Sequence, residues 1–197
     1  MSRRQAERSE TTRRQLLAVA RELFAAQGYT ATPIDDVVER AGVTKGALYH
    51  HFRTKRDLFR AVFEDIEREL VEVVVIAADG APDPLEGMRL GVDAFLRAAI
   101  DPAVRQIIFV DGPSVLGAET WREIDEQYGF ALVKASLEGA MQLGLLETRP
   151  VDPVAHLFLA ALTEAAHQIA RADATEAAIA DMSSALWVLV ESLRPSG

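Results

Sequence analysis

Gly42 separates two short runs, and each run opens on a helix-start signal. Thr32-Pro33 precedes the first run and Thr44 begins the second. A threonine can accept bonds from the free amides of a first turn, and a proline at the first helical position has no amide to satisfy. Asp35 and Asp36 lie near the positive end of the first dipole, and Ile34, Val37, Val38 and Ala41 make its apolar side. The second run buries Leu48 and Phe52. Helices over 33–41 and 45–51, joined at Gly42-Val43, have the layout of a helix-turn-helix. The glycine makes the sharp turn, Val43 fills the wedge, and Leu48 anchors the second helix from below. Its other side is left free and carries Lys45, Gly46, Tyr49 and His50.

The rest of the chain reads as helix. Thr12-Arg13-Arg14-Gln15 has the form of a capping box, followed by an apolar stripe at Leu16, Leu17, Ala20, Leu23 and Phe24 and a stop at Gly28. Thr54-Lys55-Arg56-Asp57 is another cap. It opens a long helix with Leu58, Phe59, Val62, Phe63, Ile66, Leu70, Val73 and Val74 inward, ending before Asp79-Gly80-Ala81-Pro82-Asp83-Pro84. Further helices are expected near 84–99, 102–110, 118–145, 152–171 and 174–193. Clean alternation and hairpin dipeptides are absent, so the fold class is all-α, with about nine helices.

Charge separates the ends of the chain. Residues 1–60 hold twelve Lys/Arg against seven Asp/Glu, net +5, while residues 61–197 are net −14. A basic head on an acidic body suggests that the head faces an anion. The absence of cysteine removes disulfides, thiol nucleophiles and thiolate metal sites. No apolar run is long enough to span a bilayer, and the opening residues are polar, so a soluble cytoplasmic protein with no membrane partner is expected. There is no nucleophile elbow, phosphate-binding glycine loop, HExxH or dinucleotide fingerprint, so no catalytic residue, metal site or cofactor is expected. His50 and His51 are adjacent, and a helix turns them about 100° apart, too far to share an ion.

A two-turn helix with a bare outer face fits the major groove of duplex DNA, its first residues reaching base edges. Lys45 can donate to guanine or phosphate, and Gly46 lets the backbone come close. Tyr49, His50 and His51 can donate to phosphate oxygens, which position the helix without reading sequence. Lys55 lies at a helix N-terminus that already attracts an anion, and Thr32 can act likewise at the start of the 33–41 helix.

The stretch VTKGALYHHFRTKRDLF resembles the signature of the TetR family of bacterial one-component regulators, through Val43, Thr44, Gly46, Leu48, Tyr49, His51, Phe52 and Lys55. AVARELFAAQGYTATPIDDVVERAG, residues 18–42, is similar to the family's first two helices, with Val38 in place of the usual alanine. The resemblance implies an N-terminal helix-turn-helix DNA-binding domain, 1–54, and a helical ligand-binding and dimerisation domain, 55–197. It also implies a regulator, commonly a repressor, that binds double-stranded operator DNA as a homodimer and releases it when a small-molecule effector binds. FVDGPSVLGAETWREIDEQYG resembles a recurring C-terminal subtype of the family.

For the pocket, Phe95, Phe109, Trp121, Tyr128, Phe158 and Leu162 are candidate lining residues. Asp111 can face a polar ligand atom or cap the helix near Pro113. The last two helices are apolar nearly all round, which suits one face for their own core and one for a second copy. His156, Leu159, His167, Met182, Leu186 and Val190 are the expected interface residues.

Overall fold

The computed structural model describes residues 3–171 and 176–195, and every regular element among them is helical. In order these are α1 (Arg3–Gln27), α2 (Ile34–Arg40), α3 (Lys45–His51), α4 (Lys55–Ala78), α5 (Pro84–Ala98) and α6 (Pro102–Val104). A π-helical segment (Arg105–Asp111) follows, then α7 (Gly112–Leu116), α8 (Ala118–Gln142), α9 (Val151–Arg171) and α10 (Glu176–Glu191). The all-α expectation is met. Positions 174 and 175 of the last expected helix lie outside the described residues.

Packing gathers the chain into two compact units. One is the chain up to Ile66 with Pro102–Trp121; the other is Glu67–Asp101 with the chain from Arg122 on. The packing therefore does not divide after residue 54. The first half of α4 belongs to one unit and its second half to the other.

In the first unit α1 packs against α2, α3, α6 and the π-helical segment. Leu16, Ala20, Phe24, Leu48, Leu58, Phe59 and Phe63 are wholly buried there. Phe24 and Tyr29 both meet the Phe59 ring edge-on, at centroid distances of 5.3 and 5.2 Å. Helix α1 starts well before the expected capping box at Thr12, because the preceding residues are good helix formers and nothing interrupts them. Thr11 shows the consequence, its hydroxyl donating to the Glu7 carbonyl inside the helix at 2.9 Å.

The turn after α2 is built as the sequence requires. Gly42 sits at φ +64°, in the left-handed region that costs a glycine little. Its N–H donates to the Glu39 carbonyl at 3.1 Å, and the Val43 N–H to the Val38 carbonyl at 3.0 Å. That pair is a Schellman motif, which satisfies carbonyls left open at the helix end. Thr44 then caps α3, its hydroxyl oxygen accepting from the Ala47 N–H at 3.1 Å. Helix α4 opens with a reciprocal box: the Thr54 N–H donates to Asp57 Oδ2 (3.0 Å), and the Asp57 N–H to Thr54 Oγ1 (3.1 Å).

The expected helix over 102–110 is instead α6, the π-helical segment and α7. Pro113 has no N–H for the carbonyl of Phe109, and its ring crowds that carbonyl, so a wider turn ahead of it is relieved of strain.

In the second unit α5, α9 and α10 pack together. Asp83 caps α5, accepting from the N–H groups of Leu85 and Glu86 at 2.9 and 3.0 Å. A Cβ at Gly91 would stand 2.9 Å from Val74 Cγ1, so the absent side chain lets α5 lie close on α4. Among the described residues, no helix is long and apolar enough to cross a membrane.

Candidate nucleic-acid interface and ligand cavity

Helix α3 has only seven residues, too few to be stable alone, so its position depends on its buried side. Leu48 is wholly buried and Phe52 nearly so, while Val43 is half-buried. The opposite side is open. Lys45, Gly46 and His50 are exposed, and Tyr49 is 47% exposed. Lys45 Nζ lies 2.6 Å from Asp35 Oδ1, and that bond holds the lysine pKa above its ordinary value. Both side chains are more than half exposed, so the pair is easily exchanged for an anion from outside.

His51 is half-buried and meets the His50 ring edge-on, centroids 5.3 Å apart. Burial first, then His50 and Arg13, lower the pKa of His51, with Glu10 opposing them. Lys55 lies over the Tyr29 ring, its Nζ 4.2 Å from the centroid, and burial lowers its pKa while Asp111 raises it. Thr32 departs from expectation. It is wholly buried, donates to the Gly28 carbonyl at 2.7 Å, and accepts from Gln27 Nε2 at 3.2 Å. It neither caps α2 nor presents a hydroxyl to a duplex, because these local partners already hold it.

The second unit holds a cavity of about 240 Å³, partly open to solvent, lined by α4, α5, α8 and α9. Phe95, Tyr128, Phe158 and Leu162 line it as expected. Phe109, Asp111 and Trp121 do not; they belong to the first unit. Phe109 is buried in its core. The Trp121 Nε1–H donates to the Ile108 carbonyl at 3.1 Å. Asp111 neither faces a ligand nor caps: its Oδ2 accepts from the Tyr29 N–H at 2.7 Å and from Gln106 Nε2 at 3.1 Å. The π-helical winding brings this carboxylate to the end of α1, which helical periodicity alone does not anticipate.

The cavity also holds two carboxyl groups that sequence reasoning missed. Glu67 is only 5% exposed, and burial, reinforced by Asp125, pushes its pKa up to about 8. Burial likewise raises Asp125 to about 6, against a hydrogen bond from Thr163 Oγ1 at 3.2 Å. A signal was available. Glu67 stands four residues after Phe63 and three before Leu70, inside the apolar stripe of α4, and Asp125 stands between Trp121 and Tyr128 in the same relation on α8.

On the last two helices Leu159, Leu186 and Val190 turn inward and are 5%, 4% and 1% exposed, so the chain's own core already covers them. His156 is exposed, stacked on Phe130 with centroids 4.2 Å apart, and His167 and Met182 are half-buried. The large apolar residues that these helices leave open are Leu157, Val188 and Leu189, each at least half exposed.

Comparison with known proteins gives two domain matches. Residues 16–62 match the family described as bacterial regulatory proteins, tetR family, and residues 85–193 match the tetracyclin repressor-like C-terminal domain. The chain is 37% identical over 90 residues to the HTH-type transcriptional regulator AcrR of Shigella flexneri, covering 45% of this chain and 42% of that protein. It is 40% identical over 83 residues to the HTH-type transcriptional activator FasR of Mycolicibacterium smegmatis, covering 42% and 38%. The chain thus spans less than half the length of these two curated relatives. A solved TetR-family transcriptional regulator from Pectobacterium atrosepticum superposes with a TM-score of 0.85 at 31% identity, covering 100% of this chain and 99% of that one.

Proposed function

The chain belongs to the TetR family of bacterial regulatory proteins, and from that premise we propose that it is a ligand-responsive transcriptional regulator. In this reading it acts in the cytoplasm, binds a palindromic operator as a homodimer, and represses until a small molecule fills the cavity of its second unit. The observation that carries the reading is the open face of α3, with Tyr49 and His50 outward and Leu48 sealed beneath them. Two copies would offer two such helices about 34–36 Å apart, one turn of duplex. Leu157, Val188 and Leu189 supply the apolar contact between copies, in place of the buried Leu159, Leu186 and Val190. Helix α4 runs from the first unit into the cavity wall, so a ligand that shifts it changes the spacing of the reading helices.

The test is a gel shift of the duplex flanking the protein's own coding region, alongside duplexes selected from a random pool. Specific binding should weaken steeply with salt as counterions are released. Lys55→Ala should weaken all sequences alike and lower the salt slope by about 1, whereas Lys45→Ala should also relax base preference. No selected sequence from the random pool, with intact protein, rejects the reading in favour of a module that binds only protein.

Acid should tighten the complex. Because burial lowers its pKa, His51 gains its proton only below the usual histidine range, and the new charge then faces phosphate. Duplex affinity should therefore rise as pH falls below neutral, and His51→Gln should reduce that rise. An affinity that is the same for both proteins at every pH removes His51 from the contact.

A further inference from the structure

The cavity of the second unit is apolar on most of its wall, through Leu70, Val74, Met88, Val92, Phe158 and Leu162. Into it projects a carboxyl that the fold does not satisfy. Glu67 is 5% exposed, and among the described residues it has no hydrogen-bond or ion-pair partner. Its oxygens are not sealed away, since no described buried side-chain oxygen lacks a partner. They face the cavity space. Asp125 enters from α8 and is held by Thr163 from α9.

Among the described residues no cation lines the cavity beside this pair. The titratable groups on the wall are Glu67 from α4, Asp79 from the turn after it, and Asp125 and Tyr128 from α8; α5 and α9 contribute none among the described residues. Glu126 adds a further negative influence on Asp125 from outside. A buried carboxyl normally has a partner or a proton, and leaving it charged in an apolar site is costly. An incoming cation would relieve both the burial and the repulsion between the two acids. Phe95, Tyr128 and Phe158 on the same wall offer ring faces, which also attract a cation.

We propose that the effector is an amphipathic cation: an apolar body carrying one basic or quaternary nitrogen, seated against the carboxyls of Glu67 and Asp125. The proposal deepens the reading of the chain as a ligand-responsive regulator and rests on it only for the release of DNA. Binding itself is a property of the second unit. An anionic ligand is disfavoured by the absence of any lysine, arginine or histidine on the described wall. A neutral ligand with a hydrogen-bond acceptor would accept a hydrogen bond from protonated Glu67, and it would bind with the opposite pH dependence.

The test uses the full chain and defined probes: benzyltrimethylammonium, hexyltrimethylammonium and 4-phenylbutylamine, with neopentylbenzene as the neutral isostere of the first and phenylacetate as the anion. Calorimetry is expected to give the cations at least about tenfold tighter binding than the isostere at the same pH. A quaternary nitrogen cannot titrate, so any pH dependence of its binding belongs to the protein. Its affinity should rise from about pH 6 to about pH 9 as the two carboxyls ionise. Glu67→Gln, of similar size and uncharged, should lose about tenfold in cation affinity and leave the isostere unchanged. Asp125→Asn is the second variant, with the same expectation. The proposal is overturned if no cation exceeds the isostere, if phenylacetate binds more tightly than the cations, or if both variants keep full cation affinity. Saturating cation added to the protein–duplex complex separates the two readings. Cation binding at the cavity with unchanged duplex affinity upholds the ligand class and rejects the coupling to DNA.

Discussion

Leu48→Ala is expected to lower stability by about 2–5 kcal/mol and to remove most of the duplex affinity with it. The side chain is wholly buried beneath α3, so alanine leaves a cavity under the whole of a seven-residue helix. Phe52, nearly buried, is its other apolar anchor, but it lies past the helix's last residue. The Thr44 cap satisfies one amide, and the Phe52 N–H donates to the Leu48 carbonyl at 2.8 Å, but neither fixes its tilt. Once α3 moves freely, its open face no longer meets a groove in one orientation, and the contacts that position it are lost together. Tyr49→Ala separates the two effects. Tyr49 is 47% exposed, so its removal should leave stability within about 0.5 kcal/mol while still reducing affinity. Denaturant unfolding and fluorescence anisotropy on a selected duplex measure both quantities. If Leu48→Ala keeps full affinity while its stability falls as expected, α3 is not the element that reads DNA.

What the sequence disclosed followed how locally each feature is decided. The turn at Gly42, the Thr44 cap and the Thr54/Asp57 box are fixed by neighbours within a few residues, and each was legible from residue type and spacing. The open face of α3 was legible too, because one apolar anchor per turn leaves only one way to bury it. Thr32 is a local feature that misleads: it reads as a cap beside Pro33, yet Gly28 and Gln27 claim its hydroxyl. Features decided by distant partners were not legible. Asp111 reads as a pocket acid or a cap, yet the π-helical winding hands it to the backbone of Tyr29, 82 residues earlier. On α9 and α10 the apolar residues surround each helix, so periodicity could not say which of Leu157 and Leu159 turns inward; Leu159 is the one that packs on Gly129 of α8. Glu67 is the opposite case. The stripe on α4 holds from Leu58 to Leu70 and fails at Val73, which is 42% exposed, and the charged residue within it, Glu67, was given no role.

That residue gives the molecule a stability that declines with pH. Glu67 is held above its ordinary value of 4.5, at about 8, so between those limits the folded chain binds more protons than the unfolded one. Stability must then be greatest below about pH 4.5 and fall as pH rises through about 8. The whole interval corresponds to about 4–5 kcal/mol as an upper figure, most of it between about pH 5 and pH 8. Asp125, raised from 3.8 to about 6, acts in the same direction over a lower range. Glu67→Gln cannot ionise and so removes the larger part. Thermal unfolding should place the variant within about 1 kcal/mol of the parent at pH 5, and about 10 °C above it at pH 8.5. Equal midpoints at pH 8.5 would mean that the carboxyl is charged and solvated, with no burial left for a cation to relieve. A saturating quaternary ammonium ion should do for the parent what glutamine does for the variant, raising the midpoint most at high pH, because it stabilises the ionised form that the apolar wall penalises.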